Sequence, residues 1–261
     1  MAFPYKKVLI LGATSGIGLA FAERLVQRGL FVIVTGRRKE NLDNFVQKYG
    51  SDKAAAVTVD LSKLDTLPGF AQTIKESHPD LDCVIFNSGI QRRSVFSEAE
   101  DINMDVIVQE MTVNYLSYLS LTKEFVPFFK PKDNPTAFIY ITSGLALVPL
   151  LRCSNYCASK AALHQWILCV REHLKKFNIK VIEILPPAVQ TELHDAKHQP
   201  DIVNGRSIGM PLEDFTNEAM DGLLRGDEQI PVGQSKLSFD TWEQQRQEIF
   251  HNWIKAMGLQ P

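Results

Sequence analysis

Tyr156 and Lys160 stand four residues apart in the run Tyr156-Cys157-Ala158-Ser159-Lys160. On a helix that spacing puts both side chains on one face. A free phenol has a pKa of about 10, too high to release a proton readily near neutrality. A neighbouring ammonium, or an oxidised cationic nicotinamide, favours the phenolate and lowers that value. Such a phenol can give a proton to a carbonyl oxygen as hydride reaches the carbon, or accept one in the reverse direction. Ser143 comes shortly before, and its hydroxyl can hold the same oxygen in place. Alone, Tyr-x3-Lys reads as two ordinary residues on a helix face. It gains meaning from Ser143 and from a glycine turn far upstream.

That turn is Leu11-Gly12-Ala13-Thr14-Ser15-Gly16-Ile17-Gly18. Glycine permits a tight bend and lets a pyrophosphate come close to the backbone. A helix opening near Gly16 would aim its free N–H groups and positive dipole end at that anion. No Lys-Ser or Lys-Thr follows the last glycine, which disfavours a nucleoside triphosphate loop. Further on, Thr35-Gly36-Arg37-Arg38 ends a second apolar run. A site for NAD places an acid there for the ribose 2′-hydroxyl. Here two guanidiniums stand instead, and arginine pairs well with phosphate. The reading is a preference for the 2′-phosphate of NADPH. Asp60 and Leu61 follow a third run, within reach of an adenine. Asn87, Ser88 and Gly89 close a fourth, where a small turn lets a ribose lie against backbone.

These residues need a scaffold that brings strand ends together. Seven short, mostly apolar runs are predicted as strands: Val8–Leu11, Phe31–Thr35, Ala54–Val59, Asp82–Phe86, Ala137–Thr142, Lys180–Leu185 and Gln229–Val232. Near-continuous apolarity marks strands buried on both faces. Between them lie helical patterns. In the first, Ile17, Ala20, Phe21, Leu25 and Val26 recur at helical spacing, and Gly29 stops it. Others are expected over Asn103–Phe129 and Ser154–Phe177. Repeated βαβ units predict an α/β fold, a mostly parallel seven-stranded sheet with helices on both faces. One domain is expected over residues 1–261. Its irregular stretch near 190–215 is read as a substrate loop. Residues 239–257 are read as an amphipathic C-terminal helix, with Trp242, Ile249, Trp253 and Ile254, packed on the body or on a subunit.

The whole constellation resembles the short-chain dehydrogenase/reductase family, from about Lys7 to Leu193. The resemblance implies a single Rossmann-fold domain that binds NADP. Gly12, Gly16 and Gly18 match its glycine turn, which normally begins with Thr where this chain has Leu11. Phe86-Asn87-Ser88-Gly89 is a partial match to its Asn-Asn-Ala-Gly turn. Ser143, Tyr156 and Lys160 match its catalytic residues, and Asn114, in Thr-Val-Asn-Tyr, matches the fourth. In the family that Asn bends its helix and holds a water in the proton path to the Lys. After the sixth strand the family has Pro-Gly and then a Thr that contacts the carboxamide. Pro186 and Thr191 keep the first and last of these, Val189 falls between them, and Pro187 replaces the glycine and stiffens the turn. The resemblance also implies a homodimer or homotetramer, with the helices of Asn114 and Tyr156 at the interface.

The expected activity is therefore reduction of a ketone or aldehyde with NADPH, reversible as an alcohol dehydrogenase. Leu145–Leu151 are expected to wall an apolar or aromatic pocket. Two alternatives stand beside it. One keeps fold and cofactor but reduces an imine or an activated C=C bond. The other is a sensor that binds NADP(H) without turnover, for which a tuned phenol has no use.

Composition agrees with this. Hydrophobic residues make up 45% and charged residues 22% of 261, ordinary for a globular protein. Lys plus Arg is 28 against 30 for Asp plus Glu, so no basic surplus suggests nucleic acid. Cys83, Cys153, Cys157 and Cys169 form no Cys-x-x-Cys pair and are expected to be reduced thiols. No apolar stretch approaches membrane-spanning length, and the cytoplasm is the expected compartment. His194 and His198 flank Asp195 but lack a third ligand motif, so no metal is expected. Arg92 and Arg93 are read as a solvated loop.

Overall fold

The structure, a computed structural model, describes residues 3–258, so the extreme ends of the expected 1–261 domain lie outside it. Seven strands form one sheet: β1 Lys7–Leu11, β2 Phe31–Gly36, β3 Ala54–Thr58, β4 Cys83–Phe86, β5 Thr136–Ile141, β6 Ile179–Leu185 and β7 Gln229–Pro231. Their order is β3-β2-β1-β4-β5-β6-β7. Every pairing is parallel, where a mostly parallel sheet was expected. The chain reverses its direction of winding between β1 and β4. The crevice at the carboxyl ends of those two strands is where such sheets bind ligands.

Successive residues of β1 serve opposite faces. Val8 and Ile10 join a core with Phe21 and Leu25 of α1 (Gly16–Gln27) and Phe45 of α2 (Lys39–Tyr49). Leu9 and Leu11 join the other core, with Ile74 of α3 (Leu67–Ser77). This period of two, with both faces apolar, explains the unbroken hydrophobic runs. Leu11, the departure from the family's Thr, is thus a core residue.

The expected helix over Asn103–Phe129 is α4 (Met104–Met111) and α5 (Ser117–Phe129), joined by a π turn over Thr112–Leu116. Asn103 caps α4 by accepting from the Asp105 and Val106 N–H groups. The next helix, α6 (Ser154–Leu174), ends before the expected Phe177. Helix α7 (Leu212–Arg225) follows the late loop. The C-terminal segment starts earlier than expected, with α8 (Ser235–Ser238), a π turn over Phe239–Glu243 and then α9 (Gln244–Ala256). Among the described residues no helix is long and apolar enough to cross a membrane.

A buried charge network fastens that C-terminal segment to α6. His164 on α6 has Nδ1 at 2.8 and 2.9 Å from the two Glu183 oxygens. Its Nε2 lies 2.9 Å from Glu243 Oε1. Arg246 donates to both oxygens of Glu243, and Thr142 donates to Glu183. Burial opposes a charge on His164, but the two carboxylates outweigh it and lift its pKa from 6.5 to about 9. Because the folded value exceeds the unfolded one, this stabilisation is full below pH 6.5 and is lost as pH rises through about 9. The expected result is a thermal midpoint that falls over that window more steeply in the wild type than in His164→Gln. Breaking the network should itself cost about 3 kcal/mol in denaturant titrations.

Candidate active site

The chain leaves β1 through Gly12 at φ +85°, a left-handed conformation that suits glycine. The Gly12 and Ala13 N–H groups donate to the Thr35 carbonyl at 3.1 and 2.8 Å, which ties the turn to the end of β2. Gly18 faces back onto the turn. A Cβ there would strike the Gly12 carbonyl oxygen and lie 2.5 Å from Asn87 Nδ2. The same Nδ2 donates to the Gly12 oxygen at 2.8 Å. Asn87 therefore holds the turn's shape. Ser15 begins α1 with no side-chain cap, which leaves first-turn N–H groups for an anion. Ile17 packs partly buried against the core.

Arg38 lies across this turn. Its Nε and Nη2 donate to Thr14 Oγ1 at 3.0 and 2.7 Å, and Nη2 donates to Ser15 Oγ at 2.5 Å. Arg37 is exposed beside it. Asp60 Oδ1 accepts from the Ser62 N–H and hydroxyl at 3.0 and 2.8 Å. Burial raises the Asp60 carboxyl, but those bonds and the charge of Arg37 outweigh it and hold it below the ordinary value. Leu61 is buried alongside.

Lys160, Tyr156 and Ser143 meet at the ends of β5 and α6. Lys160 Nζ donates to the Ile141 carbonyl at 2.9 Å and lies 5.9 Å from the centre of the Tyr156 ring. Burial lowers its pKa to about 8, against the pull of Glu183 and Glu110. Burial also pushes the Tyr156 phenol above its ordinary value, and the neighbouring Ser143 hydroxyl opposes this only in part. This corrects the expectation that the ammonium lowers the phenol. The ring is desolvated, which disfavours phenolate, and the nearby Cys153, Glu110 and Cys157 side chains add to that effect. Ser143 Oγ also accepts from the Leu145 N–H at 3.1 Å.

Asn114 sits inside the π turn with its side chain fully buried. Its Nδ2 donates to the Ile90 carbonyl at 2.9 Å and to Ser159 Oγ at 3.0 Å, and its Oδ1 accepts from the Ile90 N–H at 2.9 Å. It thereby pins the strand-four turn to α6. Local widening of a helix of this kind is common at functional sites. A Cβ on Gly89 would lie 3.8 Å from Lys160 Nζ, so the Asn87–Gly89 turn runs beside the ammonium. The Ser88 carbonyl accepts from the Tyr118 hydroxyl.

On the far side, the Pro186 carbonyl accepts from the Gly144 N–H at 2.8 Å. Val189 is buried and bridges to Met210. A Cβ on Gly16 would lie 3.2 Å from Thr191 Cγ2, so the late loop starts against the glycine turn.

Two readings change. Leu147 does not face the site; it is buried with Leu185 and Phe239. Leu145 packs on Cys153, Tyr156 and Cys157, while Val148, Leu150 and Leu151 are exposed. Arg93 pairs with Glu98 at 2.6 Å on the surface, but Arg92 is half-buried, with Nη2 3.4 Å from His198 Nδ1. Glu110 and Asn155 were not foreseen. Glu110 is buried on α4, accepts from the Arg92 N–H at 2.8 Å and from Asn155 Nδ2 at 2.6 Å, and so braces the residue before Tyr156. Burial raises its pKa to about 7.

Comparison with known proteins bears on this geometry. The profile described as short chain dehydrogenase matches residues 6–201. The chain is 33% identical over 224 residues to the uncharacterized oxidoreductase DltE of Bacillus subtilis, covering 85% of this chain and 86% of that one. It is 27% identical over 229 residues to an NADP-dependent 3-hydroxy acid dehydrogenase of Schizosaccharomyces pombe, covering 84% and 87%. In fold it is similar to a short-chain dehydrogenase from Sphingobium yanoikuyae solved with NADPH, at a TM-score of 0.82 and 23% identity over 94% and 95% of the two chains.

Proposed function

Because the chain belongs to the short chain dehydrogenase family of oxidoreductases, we propose that it is an NADPH-dependent carbonyl reductase, reversible as an alcohol dehydrogenase. The observation that carries this reading is the buried Tyr156 phenol beside Ser143, with Lys160 Nζ on the same helix face 5.9 Å from the centre of its ring.

The residues at the strand ends fit a phosphorylated dinucleotide. Gly12 and Gly18 let the turn pack closer to its neighbours than any side chain would allow, α1 begins without a side-chain cap, and Arg38 is already set over its start. Gly12–Gly18 with Thr14 and Ser15 would hold the pyrophosphate, and Arg37 and Arg38 the 2′-phosphate. Asp60 and Leu61 would border the adenine, and Asn87–Gly89 with Lys160 the ribose. Pro186, Val189 and Thr191 would border the nicotinamide. When bound, the reduced nicotinamide supplies hydride to the carbonyl carbon.

Tyr156 gives its proton to the carbonyl oxygen as negative charge develops there. A phenol whose pKa is raised by burial keeps its proton until that moment, which suits the reducing direction. Ser143 donates to the same oxygen and fixes its position. Lys160 holds positive charge near the phenol, and Asn114 and Glu110 keep the surrounding turns in place. Leu145, packed against Tyr156 and Cys157, supports an apolar or aromatic substrate, with residues 190–215 as its covering loop. Exposed Met104, Val108 and Leu116 on the helical run of Asn114 support self-association there.

The test is NADPH oxidation across a panel of ketones and aldehydes, with NADH in parallel. NADPH should be preferred. Arg38→Ala should weaken NADPH binding about tenfold to a hundredfold, the worth of a lost charge-assisted pair, and leave NADH within twofold in fluorescence titrations.

A further inference from the structure

Glu192 follows Thr191 in the loop after β6 and reaches back to the glycine turn. Its Oε2 accepts from Arg38 Nη1 at 2.6 Å. Arg38 Nε and Nη2 donate to Thr14 and Ser15. One carboxylate thus shares its partner, Arg38, with the start of α1, where an anionic ligand is expected. Thr191, just before it, packs on Gly16, so the carboxylate is delivered from a fixed backbone position. Arg206 is not its main partner. That guanidinium is bidentate to Asp195 at 2.6 Å and lies 3.9 Å from Glu192. The carboxyl is held below its ordinary value, since the bond from Arg38 and the nearby Ser15 hydroxyl outweigh burial.

We propose that Glu192 is a built-in counter-ion that competes with a dinucleotide 2′-phosphate for Arg38, and so limits how strongly the protein prefers NADPH over NADH. The inference rests on the reading of Arg38 as a 2′-phosphate ligand. A phosphate must displace the carboxylate to take the same N–H donors. A ribose hydroxyl is neutral and leaves the ion pair intact. The penalty therefore falls on the phosphorylated cofactor alone. Its size is set by exposure. The two side chains are 46% and 39% exposed, so the pair is a surface one and its removal is worth about fivefold.

The experiment is a fluorescence titration of the intact protein with NADPH and with NADH at fixed ionic strength. Glu192→Gln is expected to lower the Kd for NADPH about fivefold and to leave that for NADH within twofold. In the Arg38→Ala background the same substitution should change NADPH binding less than twofold, because the contested group is gone. An unchanged NADPH affinity in Glu192→Gln, while Arg38→Ala still weakens NADPH, overturns the counter-ion and leaves the phosphate reading standing. Equal tightening of both cofactors also overturns it, since that signals a general charge effect. If Arg38→Ala leaves NADPH affinity unchanged, the phosphate reading falls and the inference with it.

Discussion

Tyr156→Phe should lower kcat about a thousandfold while NADPH affinity stays within threefold of wild type. The substitution removes one oxygen and keeps the ring. The ring packs with Cys153, Cys157 and Leu145, contacts that phenylalanine preserves. What disappears is the proton donor beside Ser143. The thermal midpoint should move little, because a buried hydroxyl and its hydrogen bond contribute about 1 kcal/mol. Steady-state kinetics, a binding titration and a melting curve on one preparation separate these effects. Loss of turnover with loss of binding would point to a misfolded site. Full turnover would remove Tyr156 from the chemistry.

Gly18→Ala is the second large effect, and it acts through geometry alone. A methyl group there has no room against the Gly12 carbonyl oxygen and Asn87 Nδ2. Both belong to one hydrogen bond, so relief by moving Asn87 breaks the link that shapes the turn. Overpacking of this kind costs about 1–3 kcal/mol, and the lost bond adds about 1 more. The strain sits beside the first turn of α1, where the phosphates are expected. Dinucleotide affinity should fall at least about tenfold, with a lower midpoint in chemical denaturation. Gly29→Ala is the control for surroundings, since nothing lies within 4 Å of a Cβ there, although its φ of +87° adds backbone strain. It should destabilise without weakening the cofactor.

Much of this was legible in the residues themselves. Leu9 and Leu11 alternate with Val8 and Ile10 between two cores, so the strands were readable as apolar runs. Gly12 and Gly36 mark strand ends because the backbone there leaves the regions open to other residues. The four-residue spacing of Tyr156 and Lys160 survives because α6 is unbroken through both. Other features had no local signal. The π turn at Asn114 shifts hydrogen bonds without breaking the apolar pattern of α4 and α5, so a single helix was the natural reading. Glu110, an acid on an amphipathic helix, reads as surface until Asn155 and the Arg92 backbone close over it. Glu192 meets Arg38 across a separation of 154 residues, which no spacing rule covers. The raised phenol of Tyr156 follows from burial, which depends on the whole fold. Leu147 was expected in the pocket wall, but the short helical turn Gly144–Ala146 precedes its burial with Leu185 and Phe239.

The central claim is hydride transfer to a carbonyl carbon with Tyr156 as the proton donor. It is tested most directly with NADPH carrying deuterium at the transferable C4 position, incubated with an apolar ketone that supports turnover. Mass spectrometry and proton NMR of the product should find one deuterium on the alcohol carbon in the wild type, and almost no labelled product with Tyr156→Phe. Tight NADPH binding with no label transferred to any ketone or aldehyde, or label recovered only in an amine or a saturated carbon–carbon bond when imines and activated alkenes are offered, would contradict it.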